Sequence, residues 1–577
     1  MAALVNALDN YTPLQHGDNG HAEYGWSHTI QEKIAQFSFQ VTRACPEGVC
    51  TLADVLRDLL TSLKHRDDTG SAPEKALAKE YLSVLYKLIG HTRDVVEGKG
   101  EYTLAYMMVH TWYAFYPSLA EFALKCFVRM PSKDVHPYGS WKDIKYFCEY
   151  CKSQNNAKPF IQYAVSLLNH QLKEDYALLS TNPRAISLAA KWAPREKSSF
   201  GWLYKDLATQ YFADFMVTAN TEERMRKAVL KCKTEYRKVL SALNRALDTT
   251  QIKQCARTWS DIQFGHVTSV TLSKQKKAFL NITKRGDDRC PENADRVACA
   301  QHFRAHIEKA VKGVVEMKGT RVGMESFTTQ ALSLLHTNSP AEKDLLNSQW
   351  RDNASQTRTL GKMLAMVDTS GSMSGGPLEA AIALGIRIAE KSVLGERLMT
   401  FSAAPKWIDL APYPDFVSKV HAVSKAEWGM NTNFHAAMEM ILSAIVQHKL
   451  SAEDVQDMVL VVLSDMQMDS GDCCDKNALY ETMKTLYATA GIRAHGVPYT
   501  PPHILFWNLR STDGFPTLSS QPNVSMMSGY SPALLNTFCE EGLRSLQFFT
   551  PWSLLVKSLQ NERFRVMDER VFTTLNI

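Results

Sequence analysis

The chain has 577 residues, more than one ordinary domain, and its 45% hydrophobic and 22% charged residues are those of a globular protein. No apolar run reaches the roughly 18 residues of a membrane span, so a spanning protein is not expected. The net charge of +5 excludes no class of partner by itself. The first residues, MAALVNALDNYTPLQ, lack a basic region followed by a long apolar core, so no secretory signal is read there. The twelve cysteines are then expected to be reduced thiols in an intracellular, cytoplasmic setting.

In chain order, residues 1–30 read as an irregular polar arm. From about Ile30 the sequence turns helical. TLADVLRDLLTSLKH (Thr51 to His65) carries apolar residues at helical spacing, with Thr51 as the expected N-cap. EYTLAYMMVHTWYAFY stops at Pro117 and SLAEFALKCFVRM at Pro131; SWKDIKYFCEYCKS and KPFIQYAVSLLNHQLKEDYALL follow. Helices of this length with short breakers predict an all-α array over residues 31–350, each helix burying its apolar face on the next. No fixed sequence period is found, so any repeat is degenerate. Charge is uneven along the chain. Residues 181–330 hold 27 Lys and Arg against 15 Asp and Glu, whereas 361–577 hold 17 against 22. A basic segment is one footprint of nucleic-acid binding and also an ordinary solvated helix face. Its clearest helix is TEERMRKAVLKCKTEYRKVLSALNRALD (Thr221 to Asp248).

A boundary is expected near 347–361. Beyond it strands alternate with helices, the pattern of a parallel doubly wound α/β sheet over 361–577. KMLAMVD (Lys362 to Asp368), ERLMTFS (Glu396 to Ser402), KWIDL (Lys406 to Leu410), Asp457 to Asp465 and HILFWNLR (His503 to Arg510) read as strands. Leu378 to Val393, Asn433 to Lys449 and Asn477 to Ala490 read as helices.

The richest chemistry lies at the first of these strand ends. MVDTSGSMSG (Met366 to Gly375) places Asp368, Ser370 and Ser372 in a D-x-S-x-S pattern. Thr432 lies in GMNTNF, and Asp465 ends the apolar run of VLVVLSD. Few carboxylates among several hydroxyls suit a hard cation that keeps water ligands. The carboxyl edge of such a sheet is where α/β folds bind ligands.

These three segments resemble the metal-ion-dependent adhesion site of von Willebrand factor A domains. Carried over residue by residue, the resemblance makes Asp368, Ser370, Ser372, Thr432 and Asp465 the ligands, directly or through water, of Mg2+ (or Mn2+ or Ca2+). A partner's Asp or Glu would complete the shell. VDTSGSMSGGPLEAAIALGIRIAEK, WGMNTNFHAAMEMIL and VVLSDMQMD, with GSWKDIKYF, ISLAAKWAP, EYRKVLSALNRALD and SGYSPALLNTFCEEG, also resemble an uncharacterised family of large DNA viruses, plants, fungi and bacteria. Its members join a helical region to an A-type domain. The likeness covers roughly residues 90–577. That architecture is similar to the Ro autoantigen ribonucleoproteins, in which helical (TROVE) repeats bind structured RNAs and misfolded RNA ends. By that analogy Arg184, Lys191, Arg195, Lys231, Lys233, Arg237, Lys238, Arg245, Lys274, Lys276 and Lys277 would line an RNA surface. The resemblance implies a non-enzymatic RNA- or ribonucleoprotein-binding scaffold; the expected setting is intracellular, with a virion left open if the chain is viral. A metal-dependent protein–protein adaptor without nucleic acid and a hydrolase that uses the metal to activate water stay open beside it.

Three further constellations stand out. Cys148 and Cys151 form a lone C-x-x-C, which without a second pair reads as two buried thiols. Cys290, Cys299, His302 and His306 could share zinc, with surface histidines as the plain alternative. Asp469, Asp472 and Asp475, in the acidic loop with Cys473 and Cys474, would deepen the negative field around the cation, with a plain solvated loop as the equal alternative.

Overall fold

The structure is a computed structural model. It describes residue 8 and residues 11–575, apart from 155–157, 218, 338, 426–428, 430–431, 457, 470–477 and 540–545. A helical amino-terminal region is joined to a six-stranded, mostly parallel sheet.

The helical region begins at Ile30–Gln40 and runs to Pro340–Asn353. Its largest apolar core takes side chains from successive helices, among them Phe37, Leu60, Leu85, Trp112, Phe127 and Phe147. The second helix spans Pro46–Thr69, starting six residues before the start that a cap at Thr51 would set. Cys45 caps it by accepting from the Gly48 amide, and Pro46 occupies the first turn, so Thr51 lies inside the helix. The long basic helix runs Glu222–Leu247, capped by Thr221 as its sequence suggests. A small separate core around Phe264, Phe279, Phe303 and Ile307 fills the segment that follows.

The sheet strands are β3 (Met363–Asp368), β4 (Arg397–Phe401), β5 (Lys406–Asp409), β6 (Val459–Ser464), β7 (His503–Asn508) and β8 (Val524–Ser528). Their order is β5-β4-β3-β6-β7-β8, with β5 antiparallel on one edge and the rest parallel. Strand alternation divides β3 between two layers. Met363, Ala365 and Val367 face a core shared with the helix Gly376–Lys391. Leu364 and Met366 face one shared with Phe434–Gln447 and Leu479–His495. Gly385 lets the first helix approach closely: a Cβ there would stand 2.6 Å from the Val367 side chain.

The observed extents differ from the expected ones in three places. The arm is not irregular throughout: β1 (Leu14–His16) and β2 (Ala22–Tyr24) form a hairpin across a turn ending at Gly20, whose φ is +86°. Single bridges join Gly20 to Asp469 and Tyr24 to Phe515, so the hairpin is fastened to the sheet half. Met324–Leu334 and Pro340–Asn353 pack on the sheet side, where Trp350 stacks on Phe416 at 3.9 Å. The closing helices Pro551–Ser558 and Arg565–Leu575 return to the helical core through Leu555, Leu559, Met567 and Val571. At the seam, Lys99 is buried and donates to Ser38 O, Val41 O and Ser528 Oγ at 2.7–2.8 Å, which ties the first helix to β8.

Candidate metal centre

β3 and β6 are neighbours in register, so Asp368 and the residues after Val459–Ser464 meet at the carboxyl edge of the sheet. β3 is apolar until Asp368, and the backbone then turns through Ser370, a short 3-10 turn (Gly371–Met373) and Gly375 at φ +86°. The helix Gly376–Lys391 starts there with proline in its first turn. Asp368 is fully buried. Its Oδ1 accepts from the Ser370 amide at 2.9 Å and its Oδ2 from Ser464 Oγ at 2.6 Å. Ser370 Oγ lies 3.1 Å from Ser372 Oγ, and Ser372 Oγ donates to Asp465 Oδ1 at 3.4 Å. Four of the five expected ligands are therefore joined in one hydrogen-bonded chain across two strand ends.

Burial pushes the Asp368 carboxyl up to about 7, against the bonds from Ser464 and Ser370 and with help from the neighbouring Asp465 charge. Burial also raises Asp465, opposed by the Gln467 amide, Ser372 and the charge of Arg510. Two buried carboxyls thus resist being charged together.

Thr432 reaches the same edge by another route. Asn433 N donates to Ser402 O at 2.9 Å, just beyond β4, whose Phe401 pairs with Asp368. Asp469 holds the threonine from both sides: its Oδ2 accepts from Thr432 N at 2.7 Å and its amide donates to Thr432 O at 3.1 Å. Thr432 Oγ1 is buried and has no hydrogen-bond partner among the described residues. It does not bond to the serines.

The donor set fits a hard cation: two carboxylates and three hydroxyls, all oxygen. An orphaned buried hydroxyl and a pair of neighbouring buried carboxyls are both features that a bound cation would relieve. Among the described residues, no group of three or more His, Cys, Asp or Glu could hold a metal ion. For the 290–306 set the reason is visible: Cys299 is buried against Phe279 O at 3.9 Å, and His302 bonds Ser260 O at 3.2 Å. Cys148 and Cys151 are fully buried, as two core thiols.

Sequence reasoning missed Ser464, and it read Asp469 only as a contributor to the local negative field. The first sits at the end of an apolar strand directly before Asp465, and the β3–β6 register would have found it. The second orders the threonine backbone. Asp472, Cys473, Cys474 and Asp475 lie outside the described residues. The arm was not expected at the site at all, yet the Asp18 amide donates to Gln467 Oε1 at 2.8 Å and Asn19 Nδ2 to Gln467 O at 3.0 Å.

The expected RNA-binding cations are dispersed. Arg184, Arg195, Arg245 and Lys274 are exposed, and Lys191 lies half-buried beside Trp192. Lys231 covers the Phe215 ring at 3.9 Å. Arg237 and Lys233 both engage Glu196, and Lys238 engages Glu235 at 2.8 Å. Lys276 and Lys277 share Glu342 at 3.4 and 3.9 Å.

Comparison with known proteins divides the chain where the helices give way to β3. Residues 145–363 match a family described as Domain of unknown function (DUF2828), and residues 362–560 match Domain of unknown function (DUF7788). The chain is also similar to Uncharacterized protein L728 of Acanthamoeba polyphaga mimivirus, 27% identical over 503 residues that cover 83% of this chain and 79% of that protein. These likenesses support the expected kinship with an uncharacterised family represented in large DNA viruses.

Proposed function

We infer that this is a non-enzymatic binding protein whose sheet half acts as a von Willebrand factor A-like module. Asp368, Ser370, Ser372, Thr432 and Asp465 would hold one divalent cation, Mg2+ in the first place. When bound, the cation supplies an electrophilic position that an acidic group of a partner protein can ligate. The observation that carries the reading is the buried pair Asp368 and Asp465, linked through Ser464, Ser370 and Ser372, with the unpartnered Thr432 hydroxyl at the same edge. Asp469 and Ser464 would orient the ligands, the role outer residues have around metals generally.

Calorimetric titration of the chelator-treated protein with Mg2+ tests it. A single-site heat that disappears in Asp368→Ala supports the reading; the same affinity in that variant refutes it.

A second reading concerns the helical half, where the basic excess of 181–330 favours RNA as a partner by the Ro analogy. The protein would then be an intracellular RNA- or ribonucleoprotein-binding scaffold. The adaptor without nucleic acid is its competitor. Among the described residues no helix is long and apolar enough to cross a membrane, which agrees with both. Binding of a structured RNA pool at two salt concentrations, with Mg2+ and with chelator, separates them. Salt-sensitive binding favours the scaffold. No binding at low salt favours the adaptor.

A further inference from the structure

The helix Lys142–Ser153 has two distinct faces. Ile144, Phe147, Cys148 and Cys151 are buried in the helical core at the i, i+3, i+4, i+7 spacing. The opposite face carries Lys142, Lys145, Tyr146, Glu149 and Lys152 at the same spacing, and its basic side chains lie over aromatic rings. Lys142 Nζ stands 5.4 Å from the Tyr102 ring centre and 5.7 Å from that of Tyr146. Lys145 Nζ stands 5.2 Å from Tyr146, 5.1 Å from Trp192 and 5.6 Å from Phe200. Lys152 Nζ lies 4.7 Å from Trp202. Tyr102 is 48% and Tyr146 39% exposed, so these rings are only partly covered.

The cations of this face are crowded and poorly compensated. Lys142, Lys145, Lys191, Arg195 and Lys274 have no ion-pair partner among the described residues. Asp143, next to Lys142, is engaged by Arg93 at 2.9 and 2.8 Å. Burial lowers Lys142, and the charges of Arg93 and Lys274 lower it further, against Asp143; burial lowers Lys145, with Lys142 and Arg195 adding to it. The one acid of the stripe, Glu149, accepts a bond from Trp202 Nε1 at 3.2 Å. Elsewhere in the basic segment the opposite holds, since Glu196 and Glu342 each engage two cations.

A ligand that relieves this face must be a polyanion that also brings flat apolar surfaces. Single-stranded nucleic acid is one: its phosphates meet lysines while its unpaired bases stack on aromatic side chains. A duplex hides its base faces and matches only half of the pattern. Lys142 and Lys152 are about 15 Å apart along the helix, at roughly 1.5 Å rise per residue. We propose that the exposed face of Lys142–Ser153, with Tyr102, Trp192 and Phe200, is a track for single-stranded RNA. It rests on the RNA-binding reading above and narrows it to one ligand form and one surface.

The test is fluorescence anisotropy of the full chain with labelled U12, labelled dT12 and a 12-base-pair RNA duplex, at several salt concentrations. U12 should bind and the duplex should bind at least tenfold more weakly. Lys142→Gln with Lys145→Gln should lower the salt slope by about 1.4, since each phosphate contact to a single strand contributes roughly 0.7. Tyr146→Ala should weaken U12 by about fivefold or more, as loss of one stacked base does, with the salt slope unchanged. Tyr146 is exposed, so this variant keeps the fold; circular dichroism checks both. Equal binding of dT12 would make the track one for single strands of either sugar and uphold the chemistry. Four results overturn it. Duplex binding as tight as U12 and indifferent to these variants leaves RNA binding standing and removes this track. Unchanged U12 affinity in both variants does the same. Polyglutamate competing as well as U12 assigns the face to acidic peptide. Failure of every RNA to bind removes the RNA reading along with the track.

Discussion

Replacing Thr432 by valine separates the needs of the fold from those of a bound cation. The side chain is fully buried and its Oγ1 has no partner among the described residues, while Asp469 fixes the backbone on both sides. Valine keeps the β-branched shape and removes only the orphaned hydroxyl. An unsatisfied buried hydroxyl costs about 1–3 kcal/mol, so in chelator Thr432→Val should be more stable than the wild type by about 1 kcal/mol. Adding Mg2+ reverses the order. At a hundredfold excess over its dissociation constant a ligand that binds only the folded state adds about 2.7 kcal/mol, and the variant lacks one of the oxygens that would earn it. Urea denaturation in chelator and in saturating Mg2+ should therefore show the two midpoints crossing. A variant that is less stable in chelator and gains as much from Mg2+ as the wild type would refute the assignment, because the hydroxyl would then serve the fold and not a cation.

Asp469→Ala should weaken Mg2+ about 10- to 100-fold, the usual effect of losing an outer-shell carboxylate, and Asp469→Asn should weaken it less because an acceptor remains for the Thr432 amide; calorimetry reads both. Asp143→Ala should destabilise the helical half by about 3–5 kcal/mol in urea, because Arg93 would stay buried without its counter-charge. Lys99 supplies a pH test. Burial brings its ammonium down to about 7, with Glu101 opposing. Between about 7 and the ordinary lysine range the unfolded chain holds a proton that the folded chain has released, so this group makes stability rise with pH there and leaves it flat below 7. The slope has a ceiling of about 1.4 kcal/mol per pH unit. Lys99→Met should abolish this part of the rise between pH 7 and 9; an identical slope would show that other groups produce it.

Much of the architecture was legible because it is local. β3, β6 and β7 are continuous apolar runs, the signature of strands buried on both faces, and the helices around them carry period-3.6 apolar stripes. β8 was not legible: VSMMS is five residues long, mixes serine with methionine, and lies in a stretch rich in proline, glycine and serine. What makes it a strand is its place beside β7 and under the helix Ile30–Gln40, where Lys99 binds Ser528 across 429 residues of sequence. The closing helices pose the same difficulty. Leu555, Leu559, Met567 and Val571 announce an apolar face, but periodicity does not say which core that face will join.

The two candidate surfaces differ in legibility for the same reason. At the sheet edge Asp368, Ser370 and Ser372 fall within five residues, and strand register brings Asp465 to them, so composition and spacing carry most of the site. Ser464 was lost because its importance lies in the register: it follows Leu463, the partner of Val367, and so stands opposite Asp368. A basic surface has no such shortcut. Of the eleven cations named from the sequence, Lys233, Arg237, Lys238, Lys276 and Lys277 sit on carboxylates, and Glu342 lies more than sixty residues from the two lysines it neutralises. Lys142 and Lys145 precede the segment with the largest excess and were passed over, yet they stand unpaired on an aromatic face beside Arg195 and Lys274. The charge that a polyanion meets is what remains after pairing. Pairing is decided by which helices become neighbours, so Lys142 and Lys145 outrank lysines from a more basic stretch of the chain.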